Sequence, residues 1–400
     1  MSLKVLVLNS GSSSIKFELF EMPSEQRQAR GLLERIGEDQ SRLTYTLGET
    51  KKVIDEKVAD HGQGLKLIVK ALTDRENGGL KDISEIGAVG HRVVHGGEAF
   101  SETVIIDDHV QKAVEDHIQL APLHNPPNLL GIVVAKELLP TVPQVAVFDT
   151  AFHQTMPAHA FMYAIPYELY ENYRVRRYGF HGTSHRYVAA RAAKLLGQKL
   201  EETNIITAHL GNGASLAAIK NGTCIDTSMG LTPLEGVAMG TRSGDIDPAI
   251  IPFLAKAKDM KVADIDTMLN KKSGVLGVSG ISNDMRAIEK AADDGNQRAA
   301  LALNMFCYRI KKYVGAYTAA IGNVHALVFT AGIGENSDTV RNLVCENLEP
   351  LGYSIDTQKN NGARGVELDI ATPQSRSRIL IIPTNEELMI AQDTYALACK

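Results

Sequence analysis

The sequence predicts an α/β fold built on a duplicated strand–loop–strand unit, and three stretches carry that expectation. VLVLNSGSSSIKFELF, residues 5–20, reads as a strand, six consecutive small polar residues, and a second strand. IITAHLGNGASLAAIKNG, residues 205–222, repeats the plan about 200 residues later, with His209 after its first strand where Asn9 follows the other. ALVFTAGIGENSDTVRNLV, residues 326–344, runs an apolar strand into Gly332, Gly334 and Asn336 and then into a helix. Two similar units in one chain imply two domains that each contribute a loop to a shared cleft. Chance similarity between two hairpins is the other explanation.

Taken in order, the first unit is the economical hairpin: the apolar run of residues 5–8 and the alternation of Phe17, Leu19 and Phe20 are both strand signals. An ordinary hairpin needs only two turn residues. Here the turn offers hydroxyls, a side-chain amide and unobstructed backbone N–H groups, the equipment of a loop that holds an anion. A polar surface hairpin is the plain alternative. Residues 37–53 read as a peripheral polar hairpin, and residues 104–106 and 145–148 as further strands. Asp149 directly follows the last of these, which puts a carboxylate at a strand's carboxyl end, the usual edge for chemistry in open α/β sheets. The pattern changes near residue 150, a candidate domain boundary.

Three helix starts have usable chemistry. Asp247 followed by Pro248 offers an N-cap and a proline at the first helical position. After the glycine turn at residues 332–334, Asn336 or Ser337 is expected to cap a helix whose N-terminus suits the phosphate or ribose of a nucleotide. Thr384 and Glu387 have the spacing of a capping box, which leaves Glu386 to face elsewhere.

Composition bounds the rest. Four hundred residues, 44% hydrophobic and 22% charged, suffice for two or three cored domains, and a net charge of -5 with mixed signs gives no footprint for nucleic acid or an anionic membrane. The expected partners are small molecules. Cys224, Cys307, Cys345 and Cys399 show no CxxC spacing and read as reduced cysteines of a cytosolic protein. No stretch has the length of a membrane span, and the apolar N-terminal run is too short for a signal sequence. GxxxxGK[ST], a full dinucleotide fingerprint and HExxH are all absent, so a nucleotide site must be of another kind.

NSGSSSIKF, GHRVVHGGE, PLHNPPN, VAVFDTAFHQTMP, RRYGFHGTSH, HLGNGAS, DTSMGLTPLEGVAMGTRSGDIDP, TAGIGEN and IPTNEEL, in that order, resemble the successive signatures of the acetate kinases within the acetate/propionate kinase group. The resemblance spans residues 9 to about 390. It implies an α/β fold of two duplicated actin-like (ribonuclease H-like) domains flanking a nucleotide cleft. Residues 1–150 with 386–400 would form the N-terminal domain, with the acid site and first phosphate loop. Residues 151–385 would form the C-terminal domain, with the nucleotide site and the interface of a homodimer. The implied reaction is reversible in-line transfer of the ATP γ-phosphoryl group to acetate, giving acetyl phosphate and ADP, with Mg2+, or Mn2+ in its place, in a cytoplasmic enzyme with no nucleic-acid or membrane partner.

Residue by residue, Arg92 and Arg242 match the family's two active-site arginines, whose planar guanidinium groups suit both carboxylate and phosphoryl oxygens. Without the resemblance, each reads as a surface ion-pair arginine. His181 matches the histidine that donates to the phosphoryl group in flight; His124 and His185 read as structural. Asp149 matches the catalytic aspartate and is expected to work by positioning magnesium, because a carboxylate nucleophile is already ionised and needs no general base. Glu386 matches the magnesium ligand, with Asn9 beside it; an acid favoured at a helix N-terminus is its plain alternative. The nucleotide contacts implied are Lys16, His209, Leu210, Gly211, Asn212 and Gly213, then Asp284, Met285 and Arg286, then Gly332, Ile333, Gly334, Glu335 and Asn336. Val94, Leu123, Phe180 and Pro233 match the walls of the acid's methyl pocket, and Val94, where propionate-preferring relatives tend to carry Ala, favours acetate.

Three departures from the family pattern are small residues: Ser10, Ala214 and Ala331. Ala214 would be strained if its φ were positive. A propionate kinase is the nearer alternative. A nucleotide-driven assembly protein on the same fold is the distant one, and it would have no use for two arginines and a histidine converging on a small acid.

Overall fold

The computed structural model of the chain describes residues 2–74, 79–122 and 124–400 and divides into two units, Met1–Phe152 with Asn385–Lys400, and His153–Thr384. In the first unit the run of residues 5–8 lies in β1 (Leu3–Ser10), a central strand covered on both faces. Val5 and Val7 pack with Phe20, Val145, Ile390 and Ala391, while Leu6 and Leu8 pack with Phe17, Leu19, Leu65 and Ile68. A strand buried on both faces has no polar side to alternate with, hence the unbroken apolar run.

β2 (Ser14–Met22) pairs antiparallel with β1 and sets Asn9 opposite Lys16. β3 (Gln26–Glu34), β4 (Ser41–Leu47) and β5 (Thr50–Glu56) continue the antiparallel run to the edge, so the polar hairpin is peripheral as expected. On the other side of β1 come β6 (Ile86–Val93) and β8 (Gln144–Phe148), both parallel, and the short antiparallel β7 (Val104–Ile105). The order is β5-β4-β3-β2-β1-β6-β8-β7.

The second unit repeats this core. β9 (Ile205–Leu210), β10 (Ala214–Lys220) and β11 (Thr223–Thr227) are successive antiparallel neighbours, and β12 (Ala326–Thr330) and β14 (Arg378–Ile381) lie parallel to β9, with β13 (Leu368–Asp369) at the edge. Thus β3-β2-β1-β6-β8 and β11-β10-β9-β12-β14 share one plan, three antiparallel strands followed by two parallel ones. This is the duplicated α/β architecture that the two strand–loop–strand units predict. Among the described residues no helix is long and apolar enough to cross a membrane.

Three local expectations need correction. The helix after Asp247 runs Ile250–Lys258 and starts later than the proline predicts. Asp247 Oδ1 accepts the Ala249 N–H at 2.9 Å, and the N–H groups of Ile250 and Ile251 reach back three residues, so the first turn is tighter than an α-helix. The glycines of TAGIGEN do not form a turn: they lie within a short helix, Ala331–Asn336, and Ser337 caps the next helix, Asp338–Cys345, by accepting the Val340 N–H at 2.9 Å. The capping box at Thr384 does not form. Asn385 caps the helix Glu386–Ala398 through the Leu388 N–H at 3.1 Å, while the Thr384 hydroxyl is 2.8 Å from Ser184 Oγ.

That last helix rests on the first sheet at Gly90, where a Cβ would strike the Thr394 hydroxyl and come within 2.7 Å of Ile390. Gly90→Val is expected to destabilise the protein by about 1–3 kcal/mol, measured as a lower denaturant midpoint at unchanged m-value. An unchanged midpoint would contradict this packing.

Candidate active site

Strands β6 and β8 are parallel, so their carboxyl ends lie at one sheet edge, and the residues there face each other. Arg92, near the end of β6, directs Nε at both oxygens of Asp149 (3.0 and 3.2 Å) and Nη2 at Oδ2 (2.8 Å). Asp149 is 1% exposed, and its own N–H donates to the Val93 carbonyl at 2.9 Å. Two parallel contacts fix a guanidinium in plane as well as in place. Glu386 Oε1 lies 3.9 Å from Arg92 Nη2, and this oxygen is buried without a hydrogen-bond partner among the described residues. Its neighbour Glu387 pairs instead with Lys16 at 2.5 Å.

The charges are mutually dependent. Burial raises the pKa of Glu386, and Asp149 and Glu387 add to the effect against the opposing pull of Arg92. For Arg92, burial alone would lower the pKa, and the Asp149 and Glu386 carboxylates outweigh it and raise it. Just behind them His91 is pushed down to about 4 by burial, against a hydrogen bond with Gln144, and so is neutral.

A feature that sequence reasoning missed holds this region together. Asn128, from PLHNPPN, accepts the Val94 N–H at 3.0 Å and donates to the Ser10 carbonyl at 2.8 Å, while Asn125 grips His95 in the same way through its N–H and C=O. Both amides are buried in the first turn of the helix Asn125–Leu138, one on either side of the proline pair Pro126–Pro127. The motif itself was the only available signal. The polar loop after Asn9 is a tight turn closed by the Gly11 N–H on the Ser14 carbonyl at 2.8 Å. Leu123 lies outside the described residues.

In the second unit the turn between β9 and β10 carries Gly211, Asn212 and Gly213. A Cβ placed at Gly213 would lie 3.4 Å from Arg242 Nη1 and 3.6 Å from His181 Nε2, so the arginine and the histidine converge on one bare stretch of backbone. His181 precedes the helix Gly182–Leu195 in the left-handed region (φ +56°), a conformation sparsely used by non-glycine residues and found at functional sites. Its ring stacks on His209 with centroids 4.1 Å apart, and Nδ1 is 2.8 Å from Ser215 Oγ. That hydroxyl is also 2.8 Å from His185 Nε2, and burial holds His185 well below the usual histidine range. Ser215 thus links His185 to His181.

Arg242 differs from Arg92 in kind. Its hydrogen bonds go to the Pro233 carbonyl at 3.3 Å and the Met239 sulfur at 3.9 Å, and burial lowers its pKa with no carboxylate among the described residues to offset the loss of water.

A cavity of about 510 Å³ in the same unit is lined by Gly211, Asn212, Asp284, Met285, Arg286, Gly332, Ile333 and Asn336 of the expected nucleotide residues, and also by Asn283, Glu289, Ser337 and Arg364. Leu210 is fully buried in the core, and Gly334 backs onto Phe329 and Ala208. Glu335 turns away from the cavity: Oε1 accepts the N–H groups of Ala331 at 2.8 Å and Thr384 at 3.0 Å. Ala331 is left-handed at φ +63°, whereas Ala214 is an ordinary strand residue, so the backbone penalty falls at a different alanine from the one suspected. Phe180 is buried, with its carbonyl 3.0 Å from His153 Nε2. Lys16 belongs to the first unit. Among the described residues no group of three or more His, Cys, Asp or Glu could hold a metal ion alone.

Comparison with known proteins places these features in a family. The model of the Acetokinase family matches residues 4–392. The acetate kinase of Thermotoga maritima is 58% identical over 400 residues, covering 100% of this chain and 99% of that protein. The acetate kinase of Pseudothermotoga lettingae is 57% identical over 392 residues, covering 98% of this chain and 96% of that one. Among solved structures, Porphyromonas gingivalis acetate kinase superposes with a TM-score of 0.95 at 52% identity over 99% of each chain. A propionate kinase from Francisella tularensis does so with 0.92 at 44% identity, over 98% of this chain and 99% of that one.

The raised pKa of Glu386 predicts a stability effect with a definite sign. A carboxyl that binds its proton more tightly in the folded state costs stability once pH exceeds its folded pKa, and costs nothing below its unfolded pKa. In the metal-free protein, Glu386→Gln is therefore expected to raise the denaturant midpoint at neutral pH, with the gain vanishing as pH falls below about 4.5, the ordinary glutamate value. A variant less stable than the parent at pH 7 would contradict the assignment.

Proposed function

The chain belongs to the acetokinase family and has the activity of an acetate kinase, a phosphotransferase with a carboxyl group as acceptor, and on that premise we propose which residues carry the reaction. The reaction moves the γ-phosphoryl group of ATP to acetate and back, giving acetyl phosphate and ADP. Acetate is ionised near neutral pH, so nothing need deprotonate it. The barrier is electrostatic: an anion must approach a polyanion, and charge must be met by fixed donors at the in-line transition state.

The observation that carries the residue assignment is the contrast between the two arginines. Arg92 is held by Asp149 through Nε and Nη2, which leaves Nη1 for the acceptor's carboxylate. In this reading Asp149 acts by orienting Arg92. Arg242, buried against a carbonyl and a sulfur, is a cation without a counterion among the described residues, and the phosphoryl group in transfer supplies the missing charge. His181 Nε2 beside Gly213 donates to the same oxygens, with its ring orientation fixed by His209 and Ser215. Gly211, Asn212 and Gly213 approach the phosphates through backbone, and the cavity lined by residues 284–286 and by Ile333 takes the nucleoside.

Magnesium is the metal this chemistry calls for. The buried Oε1 of Glu386, which among the described residues has no hydrogen-bond partner, fits a cation, and the absence of a three-ligand cluster among the described residues fits an ion that keeps its water and phosphate ligands. Glu386, with Asn9, would hold it, and bound Mg2+ or Mn2+ would neutralise phosphate charge. Glu387 is already committed to Lys16. Val94, its backbone tied to Asn128, limits acceptor length, with Phe180 and Pro233 in the same proposed role. The working form is taken to be a cytoplasmic homodimer, a reading that rests on family membership.

Incubated with MgATP, acetate and hydroxylamine, the protein is expected to form acetohydroxamate, and Arg242→Ala to lower turnover by on the order of 10³. No product from the folded parent protein would refute the activity, and a tenfold or smaller loss in the variant would refute the role of Arg242. Val94→Ala is expected to shift kcat/KM toward propionate by about tenfold, the value of one methylene in an apolar pocket. An unchanged acetate-to-propionate ratio would remove Val94 from the acceptor site.

A further inference from the structure

The nucleotide cavity is walled by segments distant in sequence, and something must keep the wall at residues 332–336 in register with the wall at Arg364. Arg341, in the helix Asp338–Cys345, has the largest fully buried side chain among the described residues. Its Nη1 donates to the Gly334 carbonyl at 2.8 Å, its Nη2 to the Ala363 carbonyl at 2.8 Å, and its Nε to Asn360 Oδ1 at 2.7 Å. Each of the two carbonyls belongs to the residue next to one that lines the cavity, Ile333 in one case and Arg364 in the other. Asn360 is itself fixed by donating to the Asp338 carbonyl at 2.9 Å.

Among the described residues, all the acceptors of this guanidinium are neutral oxygens. Burying a cation on carbonyls alone is costly, and an apolar side chain of similar size would be easier to accommodate. Burial pushes the Arg341 pKa down to about 10, so the group remains charged at neutral pH. What an apolar side chain lacks is the rigid fork that reaches two separate backbone segments at once, and lysine, a single-point donor, lacks it too.

We propose that Arg341 is a positioning residue for the nucleotide: its buried guanidinium braces the wall at residues 332–336 against the wall at Arg364 and so sets affinity for ATP and ADP without touching either. The proposal rests on reading that cavity as the nucleotide site. It is tested with Arg341→Lys, Arg341→Met and Asn360→Ala, using calorimetric titration with ADP and separate KM values for ATP and acetate, after thermal unfolding has shown each variant to be folded. Arg341→Met is expected to raise the ADP dissociation constant and the KM for ATP about tenfold, the scale of a lost charged hydrogen-bond set. Arg341→Lys and Asn360→Ala should give smaller rises in the same direction, with the KM for acetate unchanged. If Arg341→Met does not fold, Asn360→Ala, which leaves the cation in place, decides the matter. Unchanged ADP affinity in the folded variants, or a parallel rise in the KM for acetate, overturns the proposal. Ile333→Glu separates the two levels of inference. If it leaves ADP binding intact, the cavity is not the nucleotide site and the brace falls with it. If it abolishes binding while the Arg341 and Asn360 variants keep theirs, only the brace is wrong.

Discussion

Arg92 and Asp149 face each other because β6 and β8 run parallel, and the candidate site of the first unit is arranged around that pair. The register sets Arg92 beside Val147 and Val93 beside Phe148, so the residue after β8 arrives next to the guanidinium. A carboxylate this deeply buried is tolerable only with a cation in good geometry, and the cation is oriented only while the carboxylate holds it. Glu386 enters the arrangement from the far end of the chain, carried on a helix whose Ile390 and Ala391 complete the core under the same sheet. Sheet topology, the apolar seat of the last helix and the charge cluster are therefore one constraint seen at three scales.

The second unit reuses the sheet plan with opposite electrostatics. Where the first unit gathers acids around an arginine, the second leaves Arg242 without an acid among the described residues, and two histidines stack beside it. His181 and Ala331 are also among the unit's non-glycine residues at positive φ, with Arg174, Asn221, Asp259 and Asn347 at helix ends and turns elsewhere in it. Glu335 offsets part of the backbone strain at Ala331 by accepting its N–H and that of Thr384 together. Such strain persists where the surroundings over-determine a conformation.

Much of this was legible in the residues. The continuous apolar run of β1 and the strand before Asp149 are direct readings of burial, and the repeated strand–loop–strand plan pointed to two similar sheets. Residues 284–286, which stand on a short motif, do line the cavity with the glycine segment. What could not be read depends on partners far along the chain. Glu387 has the spacing to cap its own helix, yet Lys16 claims it, and Asn385 takes the cap. Asn128 and Arg341 are unremarkable in sequence because their function is to join segments that only the fold brings near. Nor does an alanine declare its φ, which is why suspicion fell on Ala214 and the strain lies at Ala331. The roles of individual residues came from family resemblance, which local pattern could not replace.

The central claim is that Asp149 serves the reaction by holding Arg92 to the acceptor. It is tested most directly by the separate KM values of Asp149→Asn for acetate and for ATP, with Mg2+ varied. An amide cannot accept both guanidinium contacts as an ion does, so kcat should fall and the KM for acetate rise, with the KM for ATP and the Mg2+ requirement unchanged. An unaltered KM for acetate, together with activity restored by excess Mg2+, would contradict the account and make the carboxylate a servant of the metal instead.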